Sequence, residues 1–109
     1  SKNENFIIPP VEPSSEHGYH LYPLQINFKK LKISKNLFLK KMKKENINLQ
    51  CHYMPIYHHS YYKKNFNFNK KNFFNAEIFF KREVSLPIFY SMKKKQIFHV
   101  INKIIKICK

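Results

Sequence analysis

Glycine and aspartate are what this chain most lacks: 109 residues contain one glycine, Gly18, and no aspartate. A single glycine outside any phosphate-cradling pattern excludes a glycine-rich nucleotide loop. Arginine is nearly missing too, with Arg82 alone beside twenty lysines. Arginine is the preferred residue for reading base edges and stacking on bases, so its scarcity counts against sequence-specific nucleic-acid recognition. Two cysteines, Cys51 and Cys108, cannot build a disulfide framework and show no CxxC spacing. Their settings, one in a strand-like stretch and one on a helix face, predict buried free thiols. No apolar run is long enough to span a bilayer, and no secretory segment is recognisable, so the chain reads as cytoplasmic. It begins at Ser1 rather than methionine, which points to cropping or processing.

What is present is lysine, asparagine and aromatic rings. The net charge is +15, yet 43% of residues are hydrophobic and 17% aromatic, too apolar for a disordered tail. The length predicts one domain with a modest core. Lys, Asn, Ile, Phe and Tyr share A/T-rich codons, so much of the basicity reads as coding drift. Selection for a polyanionic partner is the alternative. Its best local case is residues 61–74, YYKKNFNFNKKNFF, where rings could stack on bases and lysines meet phosphates. No zinc-finger, helix-turn-helix or RNP pattern accompanies it.

Along the chain, residues 1–18 carry Pro9, Pro10 and Pro13 and read as a linker leading into the domain, with only residues 5–8 able to be extended and buried. Residues 19–28 alternate as a strand, with His20, Tyr22, Leu24, Ile26 and Phe28 on one face. Pro23 within it demands an edge position or an unpaired N–H side. His20 reads as a strand-start residue, a ligand contact being the alternative. Ser34 is a favoured N-cap, Ile33 and Phe38 form a hydrophobic staple, and Phe38, Leu39 and Met42 supply a buried stripe. Lys35, Lys40, Lys41, Lys43 and Lys44 read as a mostly solvated face. Asn46 and Asn48 finish the turn, asparagine being the best non-glycine substitute in left-handed backbone.

Residues 49–54 alternate as a second strand that stops at Pro55, delivering His52 and Tyr53 to an aromatic, basic loop. Asn75 is placed to cap a short helix over residues 76–82, with Glu77 in its first turn and Ile78 or Phe79 buried. Val84 and Leu86 make a brief strand ended by Pro87. Ile97, Val100, Ile101, Ile104, Ile105 and Cys108 form the clearest helical stripe. Lys93, Lys94 and Lys95 oppose the dipole at its start and predict fraying there, unless Ser91 caps it. The order predicts an α+β domain: a small sheet of about three mostly antiparallel strands covered by helices. A zinc site from Cys51, His52, His58 and His59 is disfavoured, because adjacent strand residues point oppositely.

Five blocks then carry a resemblance: His20-Leu21-Tyr22-Pro23; residues 46–57, NINLQCHYMPIY; Ser60-Tyr61-Tyr62-Lys63-Lys64; Asn75-Ala76-Glu77; and Val84-Ser85-Leu86-Pro87. In this order they resemble the C-terminal small domain of the DegT/DnrJ/StrS-type sugar aminotransferases across residues 19–107. The HYMPIY and YYKK forms look most like the transaminases that act on a UDP-linked 4-keto sugar in pseudaminic acid synthesis. The chain departs from the family pattern with Asn46 and Asn48 at glycine positions, Lys93–Lys95 at an acidic helix start and Tyr90 where proline is common.

The resemblance implies the small domain of a fold-type I enzyme dependent on pyridoxal phosphate, a homodimer moving an amino group from glutamate to a UDP-linked keto-deoxy sugar. It implies that residues 19–109 are that small domain and that the Schiff-base lysine, the acid at the pyridinium nitrogen and the phosphate loop belong to a large domain outside this chain. No catalytic residue and no metal ligand is then expected here. His52, Tyr53 and Tyr57 are the residues expected to approach the sugar nucleotide, followed by Tyr61 and Tyr62, since an imidazole and phenols suit phosphate or sugar oxygens. Tyr53 as a plain core residue, and His58 and His59 as an exposed loop pair, are the alternatives for that stretch. A nucleic-acid-binding module and a vestigial interaction domain are the alternative functions.

Overall fold

The computed structural model describes residues 4–109. An antiparallel sheet in the order β1-β2-β3 is built from β1 (Phe6–Ile7), β2 (Tyr22–Ile26) and β3 (Glu83–Leu86). Four α-helices accompany it: α1 (Lys35–Lys44), α2 (Ser60–Asn65), α3 (Phe74–Arg82) and α4 (Lys94–Ile107). The α+β class read from the sequence is the class observed.

Pro23 lies in the middle of the central strand, not at an edge. Hydrogen-bond direction explains how. Ser85 exchanges both backbone bonds with Gln50, so it faces away from β2, and its partner Pro23 forms a non-hydrogen-bonded pair with it. Asn27, two pairs along, donates towards β1 at Asn5, so the odd positions of β2 face β1. β1 stops at Ile7, opposite Gln25, before it reaches Pro23. Proline therefore stands at a place where no donor is demanded, the unpaired N–H side that its presence required.

The helix α1 forms as its signals dictate. Ser34 Oγ accepts from the Leu37 N–H, and Phe38 and Met42 are completely buried. At its end Asn46 takes the left-handed conformation with φ 59°, its N–H bonding Lys43 O while the Ile47 N–H bonds Met42 O. That pair of bonds is the Schellman arrangement, closed by the buried Ile47. Asn48 does not share the positive φ, so only one of the two asparagines does the work of a glycine. Lys35 also departs from the solvated face assigned to it: Nζ donates to Phe80 O at 2.8 Å and sits over the Phe80 ring. It thereby satisfies a carbonyl in the last turn of α3.

Leu24, Ile26, Phe28, Phe38, Met42, Ile47, Val84, Val100 and Ile104 make the core. The helix α4 begins at Lys94, with neither Ser91 nor any acid as its cap. Instead the Gln96 side chain reaches back to accept from the Lys93 N–H at 2.8 Å, half of a capping box that offsets the misplaced lysines. Asn75 does not cap α3, which starts one residue earlier. Asn69 caps the preceding 3-10 turn instead, and Ile78 and Phe79 are only half-buried.

Two larger differences separate sequence from structure. The third strand comes from residues 6–7 rather than from residues 49–54, which form only the single bridge Gln50↔Ser85. And the α4 stripe is buried on one side alone: Val100 and Ile104 reach the core, while Ile97, Ile101 and Ile105 stay about 40% exposed. With Tyr19, Tyr22 and Ile88 they line an apolar groove of about 550 Å³ that carries no charged side chain.

Two measurements check this fold. Asn46→Ala should cost about 1 kcal/mol in urea unfolding and Asn46→Gly should cost nothing or stabilise, because a Cβ penalises left-handed backbone. Burial pushes the Cys108 thiol up to about 11, so iodoacetamide at neutral pH should label it far more slowly in the folded chain than in urea. Equal rates would contradict its packing.

Candidate functional site

The stretch that the sequence singles out is held by side chains rather than by a strand ladder. Beyond the Gln50↔Ser85 bridge, the His52 N–H donates to Glu83 Oε2 at 3.0 Å. Glu83 is 1% exposed, the least accessible acid of the described residues, and its Oε1 accepts from Ser85 Oγ at 2.6 Å. Ser85 Oγ also lies 2.8 Å from His52 Nδ1. Residues 83 and 85 share one face of β3 by the two-residue period, opposite the buried Val84. A carboxylate thus takes the role of the next backbone carbonyl, which is why the alternation at residues 49–54 produces a pinned loop instead of a strand. Tyr53 packs edge-on against the His52 ring at 4.6 Å and is 69% exposed, so it is not a core residue.

Tyr57, Tyr61 and Tyr62 belong to a second group. Tyr57 is 8% exposed and its ring stacks on Phe73 at 4.6 Å. Tyr61 and Tyr62 meet edge-on on α2, and Phe66 and Phe68 continue the ring-to-ring contacts back to Tyr57. The Tyr57 hydroxyl is buried without a hydrogen bond of good geometry. Burial first, and the Glu77 carboxylate beside it second, push its pKa above the ordinary phenol value. His58 is half-buried and its Nε2 pairs with Glu77 Oε1, whereas His59 is exposed; the exposed-pair reading therefore fails for His58. Glu77 acts where a dipole argument placed it, in the first turn of α3, and gains a partner besides.

The five residues expected at the site thus fall into two sets. His52, half-buried, and Tyr53, exposed, form a pair on a buried carboxylate, and Tyr57, Tyr61 and Tyr62 form an aromatic ridge; no hydrogen bond or ring contact among the described residues joins the sets. Within the ridge Tyr57 is the most committed to packing, and Tyr61, 64% exposed, the freest. Chemically, the first set offers an imidazole and a phenol to a polar ligand, and the second a ridge of rings set at angles to one another, with Lys63 and Lys64 on the same helix α2. Sequence reasoning missed Glu83 and Ser85. The available signal was a carboxylate and a hydroxyl at alternate positions of a strand whose other face is apolar.

Glu83, Glu77, Glu45 and Glu4 are each engaged by partners of their own. Gly18 stands in open surroundings, not at a close backbone approach. Among the described residues no helix is long and apolar enough to cross a membrane.

The Glu77 carboxyl is held below the ordinary carboxylate range, chiefly by its hydrogen bond with His58. A depressed value adds stability above the unfolded pKa and loses it as pH falls through the folded one. Glu77→Gln should therefore remove part of the loss of stability expected as pH falls below the ordinary carboxylate range, about pH 4 to 5. Parallel stability profiles for both proteins would contradict this.

The geometry has counterparts among known proteins. Residues 1–105 match the DegT/DnrJ/EryC1/StrS aminotransferase family. The spore coat polysaccharide biosynthesis protein SpsC of Bacillus subtilis is 35% identical over 104 residues, which are 94% of this chain and 27% of SpsC. The UDP-4-amino-4,6-dideoxy-N-acetyl-beta-L-altrosamine transaminase of Helicobacter pylori is 29% identical over 105 residues, again 94% of this chain and 27% of the relative. The solved structure of Helicobacter pylori PseC, an aminotransferase involved in pseudoaminic acid biosynthesis, superposes with a TM-score of 0.72 at 31% identity, covering 80% of this chain and 23% of PseC. The chain spans about a quarter of the length of these relatives. It belongs to the DegT/DnrJ/EryC1/StrS aminotransferase family.

Proposed function

We propose that this chain is the C-terminal small-domain portion of a nucleotide-sugar aminotransferase, presenting one wall of the sugar-nucleotide site. The family match across residues 1–105 carries the reading. The UDP-linked amino sugar in the name of the Helicobacter pylori transaminase supports a UDP-linked sugar as substrate, and the resemblance of the HYMPIY and YYKK blocks adds a keto-deoxy sugar as acceptor and glutamate as amino donor. In the complete enzyme, a cytoplasmic homodimer, pyridoxal phosphate would supply the electron sink for amino transfer, held by a large domain.

This chain's own residues do the positioning. His52 and Tyr53 offer a nitrogen and a hydroxyl to the sugar or diphosphate, and Tyr61 and Tyr62 border the same stretch from α2. Tyr57 stiffens that border from beneath, through its stack on Phe73. Residues 1–18 serve as the connection to the large domain, with Phe6 and Ile7 lacing it into the sheet. The uncharged groove along α4 is apolar surface of the kind that further protein covers in a larger assembly.

With pyridoxal phosphate and glutamate added, the isolated chain should develop no absorbance near ~420 nm and show no turnover, since the cofactor's anchors lie elsewhere. Uridine diphosphate should bind weakly, with a Kd on the order of 1 mM, because only part of the contact surface is present. The shifted amide signals should be those of His52, Tyr53 and Tyr61. Turnover by the chain alone, or indifference to uridine diphosphate alongside salt-sensitive binding of oligonucleotides, would overturn the reading.

A further inference from the structure

The corner beneath His52 contains two groups whose arrangement does more than hold a loop. Glu83 is 1% exposed and Ser85 is 4% exposed, so neither can meet a ligand directly. As a carboxylate Glu83 can only accept hydrogen bonds. One oxygen is taken by the His52 N–H, and the other by Ser85 Oγ, which must therefore spend its single hydrogen on Glu83. Ser85 Oγ then faces His52 Nδ1, 2.8 Å away, with lone pairs only. For that contact to be a hydrogen bond, the proton has to sit on Nδ1.

We infer that Glu83 and Ser85 are positioning residues for His52: the chain Glu83–Ser85–His52 fixes the imidazole with Nδ1 protonated and leaves Nε2 as the atom that meets a ligand. Nε2 makes no hydrogen bond among the described residues, and it is not sealed in the interior. The same carboxylate also holds the His52 backbone, so ring and main chain are set by one buried group. Edge-on packing against Tyr53 restrains the ring from its other side. This is the logic by which a partner on one imidazole nitrogen assigns the role of the other. On the neutral ring Nε2 is an acceptor. It suits a sugar hydroxyl, an amine or an imide N–H, and it becomes a donor to phosphate only when the ring gains a proton. The ligand class rests on the sugar-nucleotide reading above; the relay does not.

Long-range proton–nitrogen NMR of the 109-residue chain, read on the neutral plateau of the His52 titration and assigned with His52→Gln, tests the relay. The expected result is a protonated-type Nδ1 and an unprotonated-type Nε2. Ser85→Ala should move His52 to the opposite tautomer or to a mixture, while Ser85→Thr, which keeps a hydroxyl, should retain the native one. Should Ser85→Ala not fold, Glu83→Gln gives the second reading. The glutamine oxygen is claimed by the His52 N–H and its NH2 turns to Ser85, which frees the serine hydrogen for Nδ1 and inverts the tautomer. An Nε2-protonated ring in the native chain overturns the inference, as does a tautomer that no Ser85 or Glu83 variant changes. A correct tautomer without any response to uridine diphosphate would instead count against the sugar-nucleotide reading and leave the relay standing.

Discussion

Glu83 is the constraint on which the candidate site depends. A buried carboxylate is tolerated only where each oxygen finds a donor. Here one donor is the hydroxyl of Ser85, two residues along the same strand, and the other is a main-chain N–H from a loop 31 residues earlier. That second bond ties residues 49–54 to the sheet without making them a strand. A strand would have continued the ladder past Gln50 and paired His52 through its backbone. A carboxylate instead holds the His52 main chain off the ladder, with the imidazole seated on Ser85 of β3 and the Tyr53 ring exposed beside it.

The scaffold around this corner is built from ordinary parts with unusual residues in them. A central strand accepts a proline because its neighbour ends before it. A helix closes on an asparagine in left-handed backbone, and another starts on lysines with a glutamine arm as its cap. Each case shows a glycine-poor, lysine-rich composition fitted to a fold whose hydrogen-bond requirements are fixed. The composition bends the local chemistry, and the topology holds.

Much of this was legible. The N-cap at Ser34, the staple onto Phe38, the brief strand before Pro87 and the α4 stripe follow from spacing alone, and the ordered blocks pointed to the aminotransferase family. What misled was the alternation at residues 49–54. Period two reports that a segment is extended, not that its backbone is paired, and the paired partner was a side chain. The strand at Phe6–Ile7 falls inside the stretch marked as able to be extended, residues 5–8, but its pairing was hidden: two residues offer no periodicity, and three prolines follow closely. The role of Glu83 and Ser85 depends on a contact across 31 and 33 residues, which no local pattern encodes. Likewise His58 reads as a loop residue until Glu77 is brought beside it.

Hydrogen–deuterium exchange at the His52 amide tests the central claim most directly, because that N–H is held by Glu83 alone and lies outside every strand and helix. The account predicts protection comparable with the β3 amides, lost in Glu83→Ala while β3 itself stays protected. Exchange at the rate of an open loop in the native chain would contradict it.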